Sequence, residues 1–128
     1  MEYVGVVIIS HSSKLAEGLL ELIRQVIKDV PVATAGGTED GEIGTSMEKI
    51  HEAISSVMSE KGVIALYDLG SARMNAEMAV EFNQLENVTI ANGIPLVEGS
   101  YVAAVESSIG KSREEIEEAI QKVKQMEI

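Results

Sequence analysis

Two residues have the types and the settings to handle a proton or a small electrophile. His11 stands in Ser10-His11-Ser12-Ser13, directly after an apolar run at positions 6–9, and Asp68 stands in Tyr67-Asp68-Leu69-Gly70-Ser71, directly after another. An imidazole where a buried strand gives way to a helix admits three readings: a packed side chain, a metal ligand or a nucleophile. A carboxylate within hydrogen-bond reach would accept the proton on Nδ1, fix the ring's direction and leave the Nε2 lone pair toward solvent. It would also stabilise positive charge as the ring reacts.

The elements that must position these groups follow from periodicity. Apolar runs at 4–9, 30–35, 63–68 and 88–92 predict four buried strands. Helical spacing predicts a helix over 13–27, with Leu15, Leu19, Leu22 and Val26 on one side and Ala16, Leu20, Ile23 and Ile27 beside them. A second helix is expected after the glycine-rich loop "GGTEDGEIG", opened by a capping box of Thr45 and Glu48, carrying Met47, Ile50, Ile54, Val57 and Met58 on its apolar face and stopped by Gly62. A third runs from about Ser71 to Phe82, Pro95 opens a fourth reaching about Ile109, and Ser112 with Glu115 makes a capping box for the last. Strands alternating with helices imply parallel pairing through right-handed crossovers. The expected fold class is α/β, doubly wound, with a mainly parallel four- to five-stranded sheet and helices on both faces.

In such sheets the reactive crevice lies beyond the carboxyl ends of the strands where their order reverses, most often between strands one and three. That rule places His11 and Asp68 side by side. Helices starting just after each of them would aim free amides and positive dipole ends at the crevice, which suits phosphate. Ser12, Ser13, Gly70 and Ser71 lie at those helix starts, and Gly37 and Thr38 arrive from strand two, with Thr45 offering a further hydroxyl. A transient phosphohistidine fits this picture, while spacing alone leaves a structural histidine or other chemistry open.

Composition bounds the alternatives. The chain has 128 residues, 45% of them hydrophobic, a length that predicts one compact domain over 1–128. It has no cysteine, so thiolate metal sites, disulfides and a cysteine nucleophile are excluded. A formal net charge of -11 disfavours nucleic acid and anionic membranes as partners. The opening apolar run lacks the basic flank of a signal peptide and the length of a membrane span. A soluble, cytoplasmic protein without a cofactor is expected.

Three motifs in order, "SHS" after the first strand, "AGGTEDGEIGTS" after the second and "YDLGSARMN" after the third, resemble the DhaM subunits of phosphoenolpyruvate-dependent dihydroxyacetone kinases, relatives of the mannose-family enzyme IIA domains of the sugar phosphotransferase system. The resemblance covers the whole chain. It implies a phosphotransferase role: His11 takes a phosphoryl group from the carrier HPr and passes it to ADP held on the DhaL subunit, which acts with DhaK on dihydroxyacetone. It also implies a homodimer, and it assigns the phosphorylated histidine to His11 and the orienting aspartate to Asp68, with Gly36, Gly37 and Thr38 in the family's loop. Alternatives are a sugar-transport enzyme IIA of the mannose family and a non-enzymatic, receiver-like regulatory module, although of the receiver's acidic set only Asp68 is in place.

Other residues carry blander readings. His51 flanks the apolar stripe of the second helix and has no metal-ligand companion; no metal site is expected. Glu39, Asp40 and Glu42 lack a full calcium-loop spacing and read as a solvated loop. "GKS" at 110–112 fails as a phosphate-binding loop because Val105 occupies the place of the required first glycine. Lys14 and Arg73 are either anion contacts or solvated charges. Met47, Met58, Met74 and Met78 read as core filler, and the acidic tail at 112–128 as a solvated helix face. With 3% aromatic residues and no tryptophan, little is available to sandwich a flavin.

Overall fold

The computed structural model describes residues 2–125. Four parallel strands, β1 (Gly5–Ser10), β2 (Val32–Gly36), β3 (Val63–Tyr67) and β4 (Val88–Ile90), form one sheet in the order β2-β1-β3-β4. Alternation along β1 explains why its whole length is apolar. Val6 and Ile8 enter one core layer with α1 (Ser13–Arg24), α4 (Leu96–Ser108) and α5 (Arg113–Gln121), while Val7 and Ile9 enter the other with α2 (Met47–Ser56) and α3 (Gly70–Phe82). The winding direction reverses between β1 and β3, which are hydrogen-bonded neighbours although β2 lies between them in sequence.

Several boundaries differ from the sequence expectation, each for a local reason. The first helix stops at Arg24 rather than Ile27, and the Arg24 guanidinium donates to the carbonyls of Ile27 (3.2 Å) and Val30 (2.7 Å), serving the turn that follows. Of its two apolar rows only Ala16, Leu19 and Ile23 are buried within the helix, while Leu15, Leu22 and Val26 face water. Ser46, not Thr45, caps α2, accepting from the Lys49 amide at 3.2 Å. The Thr45 hydroxyl instead accepts from the Asn75 side chain on α3, and Met58 lies beyond the helix end and is exposed. Ser112 and Glu115 do form the capping box of α5, whose Glu114, Glu115, Glu117 and Glu118 are exposed; Glu127 lies outside the described residues. A short 3-10 turn, Lys122–Gln125, follows.

Gly62 shows how tightly the strand starts are fitted. Its φ is +87°, and a Cβ there would stand 2.3 Å from the Asn87 carbonyl oxygen. Gly41 has a similar φ, +80°, with nothing within 4 Å. Gly41→Ala is expected to cost about 1 kcal/mol, the left-handed penalty alone. Gly62→Ala should cost roughly 2–4 kcal/mol, because strain from overpacking adds to it. Urea unfolding of the two variants measures the difference, and equal losses would show that the Asn87 carbonyl yields freely.

Candidate functional site

The β1–β3 register, with Ile9 opposite Tyr67, brings the next residues of both strands to one place at the carboxyl edge of the sheet. There Asp68 accepts four hydrogen bonds. The Ser10 hydroxyl (2.8 Å) and the His11 amide (2.9 Å) donate to Oδ2, and His11 Nδ1 (2.8 Å) and the Leu69 amide (2.7 Å) donate to Oδ1. Burial pushes the carboxyl up, but the bonds from the His11 ring and amide, Ser10 and Leu69 outweigh it and hold Asp68 below the usual aspartate value. An ionised carboxylate is acceptor-only, so the ring carries its proton on Nδ1 and Nε2 points away from the pair.

Nε2 meets the Ser71 hydroxyl at 2.7 Å. The His11 side chain is 19% exposed and Asp68 16%, so the pair sits at a crevice mouth rather than in the core. Ser71 lies in the first turn of α3, whose start is unlike those of α1, α2 and α5. Those helices are capped by the hydroxyls of Ser12, Ser46 and Ser112, whereas Leu69 occupies the cap position of α3 and has no acceptor to offer. The amides of Gly70 and Ser71 accordingly have no hydrogen-bond partner among the described residues. They open beside Nε2, with the positive end of the helix dipole behind them. Gly70 has nothing within 4 Å of where a Cβ would stand, so the approach is clear.

The remaining predicted residues fall into two groups. Ser12 and Ser13 lie at the start of α1, next to His11; the Ser12 amide donates to Ser10 Oγ (3.0 Å) and its hydroxyl caps the Leu15 amide (3.2 Å). Gly37 and Thr38 lie close by, but the loop amides expected to serve an anion are engaged within the protein. The Gly37 amide donates to the Ser10 carbonyl, that of Thr38 to the Glu42 carbonyl, that of Gly41 to the Thr38 carbonyl and that of Gly44 to the His11 carbonyl, while Thr38 Oγ1 accepts from the Glu42 amide. The loop thus braces His11 from behind. Lys49 Nζ adds to this by donating to the carbonyls of Gly36 (2.8 Å) and Thr38 (3.3 Å).

Sequence reasoning missed Ser10. It is fully buried, and its hydroxyl links Asp68 to the Ser12 amide. A serine closing an otherwise apolar strand, just before a histidine, was the available signal. Arg73 is occupied by Glu77 at 2.8 Å, and Lys14 is exposed. His51 is half-buried on α2. Met47 packs partly into the core, but Met74 and Met78 face water, contrary to their reading as filler. A hydrogen bond to Glu39, with repulsion from Glu39 and Glu52, raises the Glu48 carboxyl above its usual value. Among the described residues no group of three or more histidine, aspartate or glutamate side chains is placed to hold a metal ion, and no helix is long and apolar enough to cross a membrane.

The depressed Asp68 value ties stability to pH. The stabilisation it supplies is fully present above the ordinary aspartate value of 3.8 and is lost as pH falls through the lower folded value. The urea midpoint of Asp68→Asn should therefore lie below that of the unaltered protein at pH 7, and the gap should narrow as pH falls below about 4. A gap independent of pH would mean that the charge of Asp68 contributes nothing. Ser10→Ala, which strands the half-buried Ser12 amide and a carboxylate lone pair, is expected to cost roughly 1–3 kcal/mol in the same measurement.

Comparisons with known proteins agree on the kind of chain this is. Residues 5–126 match the family model described as the PTS system fructose IIA component. A phosphotransferase subunit DhaM of a PTS-dependent dihydroxyacetone kinase from Lactococcus lactis is 41% identical over 119 residues, covering 93% of this chain and 94% of that protein. The phosphoryl donor subunit DhaM of PEP-dependent dihydroxyacetone kinase 1 from Listeria innocua is 43% identical over 112 residues, 88% of each chain. Among solved structures, the mannose/sorbose specific IIA subunit of the phosphotransferase system from Enterococcus faecalis superposes with a TM-score of 0.59 at 18% identity, covering 100% of this chain and 96% of that one.

Proposed function

The chain belongs to the mannose-type enzyme IIA family, in its DhaM branch, and on that premise we propose that it is a phosphohistidine carrier serving a phosphoenolpyruvate-dependent dihydroxyacetone kinase. The reading rests above all on one observation: Nδ1 of His11 is tied to Asp68 at 2.8 Å while Nε2 points to an uncapped helix start. In this reading Nε2 attacks the phosphorus of phosphorylated HPr. The P–N bond to the HPr histidine breaks as the bond to His11 forms. The phosphoryl group then passes to the terminal phosphate oxygen of ADP on DhaL, breaking the bond to His11 and making ATP for the DhaK-bound substrate.

Each surrounding group has a task in that exchange. Asp68 keeps the Nδ1 proton and offsets the positive charge that develops on the ring. Ser71 rotates from Nε2 to a phosphoryl oxygen, and the amides of Gly70 and Ser71 donate to the same group, joined from α1 by that of Ser13, while Ser12, whose amide is held by Ser10 Oγ, acts through the cap it gives α1. Gly37 and Thr38 act through the backbone they brace. Residues 1–128 work as one carrier domain, in the cytoplasm, where its protein partners meet it.

Incubation with phosphoenolpyruvate, enzyme I and HPr should add one phosphate to the intact mass. His11→Ala should remove that label while keeping the fold, and His51→Ala should label normally; equal labelling of His11→Ala would sink the assignment. A phosphoramidate should be lost in warm acid and persist in base, whereas base-sensitive label would point to Asp68 instead. Asp68→Asn should still accept phosphate, at a rate lowered roughly ten- to ten-thousand-fold in rapid-quench measurements.

A further inference from the structure

The contacts of the imidazole also describe a second chemistry. Asp68 Oδ1 receives Nδ1 at 2.8 Å, and on the far side of the ring Nε2 stands 2.7 Å from the Ser71 hydroxyl. With the ring proton held on Nδ1 by an ionised carboxylate, the Nε2 lone pair is an acceptor, and Ser71 donates its hydroxyl proton to it. A serine donating to a histidine that donates to an aspartate is the arrangement that activates a serine oxygen. It is recognised by geometry rather than by fold or chain order.

The backbone supplies the other requirement. Attack of Oγ on a carbonyl carbon puts negative charge on the carbonyl oxygen, and donors already in place must receive it. Ser71 is the second residue of α3, just past the turn that leaves β3. Its own amide and that of Gly70 have no partner among the described residues, and the positive end of the helix dipole lies behind them. A nucleophile at a strand-to-helix turn, or one whose own amide holds the oxyanion, recurs on unrelated folds. Gly70 leaves the approach open, and the exposed Leu69 beside it offers apolar surface to an acyl group.

We propose that Ser71, His11 and Asp68 form a serine-nucleophile triad that hydrolyses small, activated carboxylic esters. Nε2 takes the hydroxyl proton as Oγ bonds to the carbonyl carbon, and the oxyanion lies against the amides of Gly70 and Ser71. The bond to the leaving alcohol then breaks while Nε2 returns the proton to that alcohol, leaving an acyl ester on Ser71. Water completes the cycle: its oxygen bonds to the acyl carbon and its proton goes to Nε2. The bond to Oγ then breaks, the proton returns to Ser71 and the carboxylic acid departs. Short acyl groups on acidic leaving alcohols suit this site, since its mouth is open and binding supplies little of the barrier. The chemistry uses the unmodified ring, because any group bonded to Nε2 takes the lone pair that activates Ser71.

The full chain, without any phosphotransferase partner, is treated with a fluorophosphonate probe and, separately, with p-nitrophenyl acetate. Peptide mapping should place the phosphonyl group on Ser71, fluoride leaving as Oγ bonds to phosphorus, and unfolding in urea should abolish the label. Ser71→Ala and His11→Gln should each lower ester hydrolysis roughly hundred-fold or more, and Asp68→Asn roughly ten-fold or more, with folds checked by circular dichroism. Ser55→Ala, exposed on α2, should keep both label and rate. No label on the unaltered chain, label on other residues instead of Ser71, equal labelling of His11→Gln, or unchanged hydrolysis by Ser71→Ala would overturn the proposal. Mapping on the unaltered chain decides the matter even where a variant fails to fold. A chain labelled at Ser71 that accepts no phosphate from HPr keeps this inference and sinks the carrier reading, whereas a phosphorylated chain whose Ser71 resists the probe keeps the carrier and sinks the triad.

Discussion

The carboxylate of Asp68 is the point on which the site depends. Two strands that are neighbours in the sheet but distant in sequence end within a residue of each other, and one ionised group accepts from both. Hydrogen bonds to an ionised acceptor are the stronger kind, and four of them on two oxygens leave the side chain little freedom. The ring direction of His11, the path of the chain into α1 and the start of α3 are therefore set together. A carboxylate so placed stays charged only because its donors outweigh the cost of its burial.

The sheet supplies the rigid frame for that arrangement, and the glycines supply the fit. A Cβ on Gly36 would stand 2.7 Å from Ser13 Cα, so α1 can begin against the end of β2 only because that residue has none. The loop that follows turns its amides inward and gives the Gly44 amide to the carbonyl of His11. Asn75 ties the end of the same loop to α3 through Thr45. The connections that follow β1, β2 and β3 thus meet around the imidazole, the second of them held in addition by Lys49 Nζ.

The alternation of apolar runs and helical spacing made the strand and helix count legible, and the switch-point rule placed His11 beside Asp68. What remained hidden shares a physical cause. Periodicity shows that a helix has an apolar stripe but not which of two adjacent stripes meets the sheet; on α1 the Leu15–Leu22–Val26 row lost that place to Ala16, Leu19 and Ile23, and on α3 the alanines took it. Thr45 and Ser46 offer two capping registers one residue apart, and a tie to Asn75 chooses between them. Ser10 read as the first residue beyond the strand, whereas it is the last residue of β1. Its buried hydroxyl acquires meaning only when β3 lies alongside.

Leu69 at the cap position of α3 has a consequence for how the helix breathes. A helix without a side-chain cap frays from its first turn, and whatever donates oxygens to its open amides takes over the missing cap. If a phosphoryl group on His11 fills that role, the first turn is firm while the cargo is aboard and loose once it has left. Amide exchange at Gly70 and Ser71 would then act as a local clock of occupancy, recording from the protein side each arrival and departure of such a group.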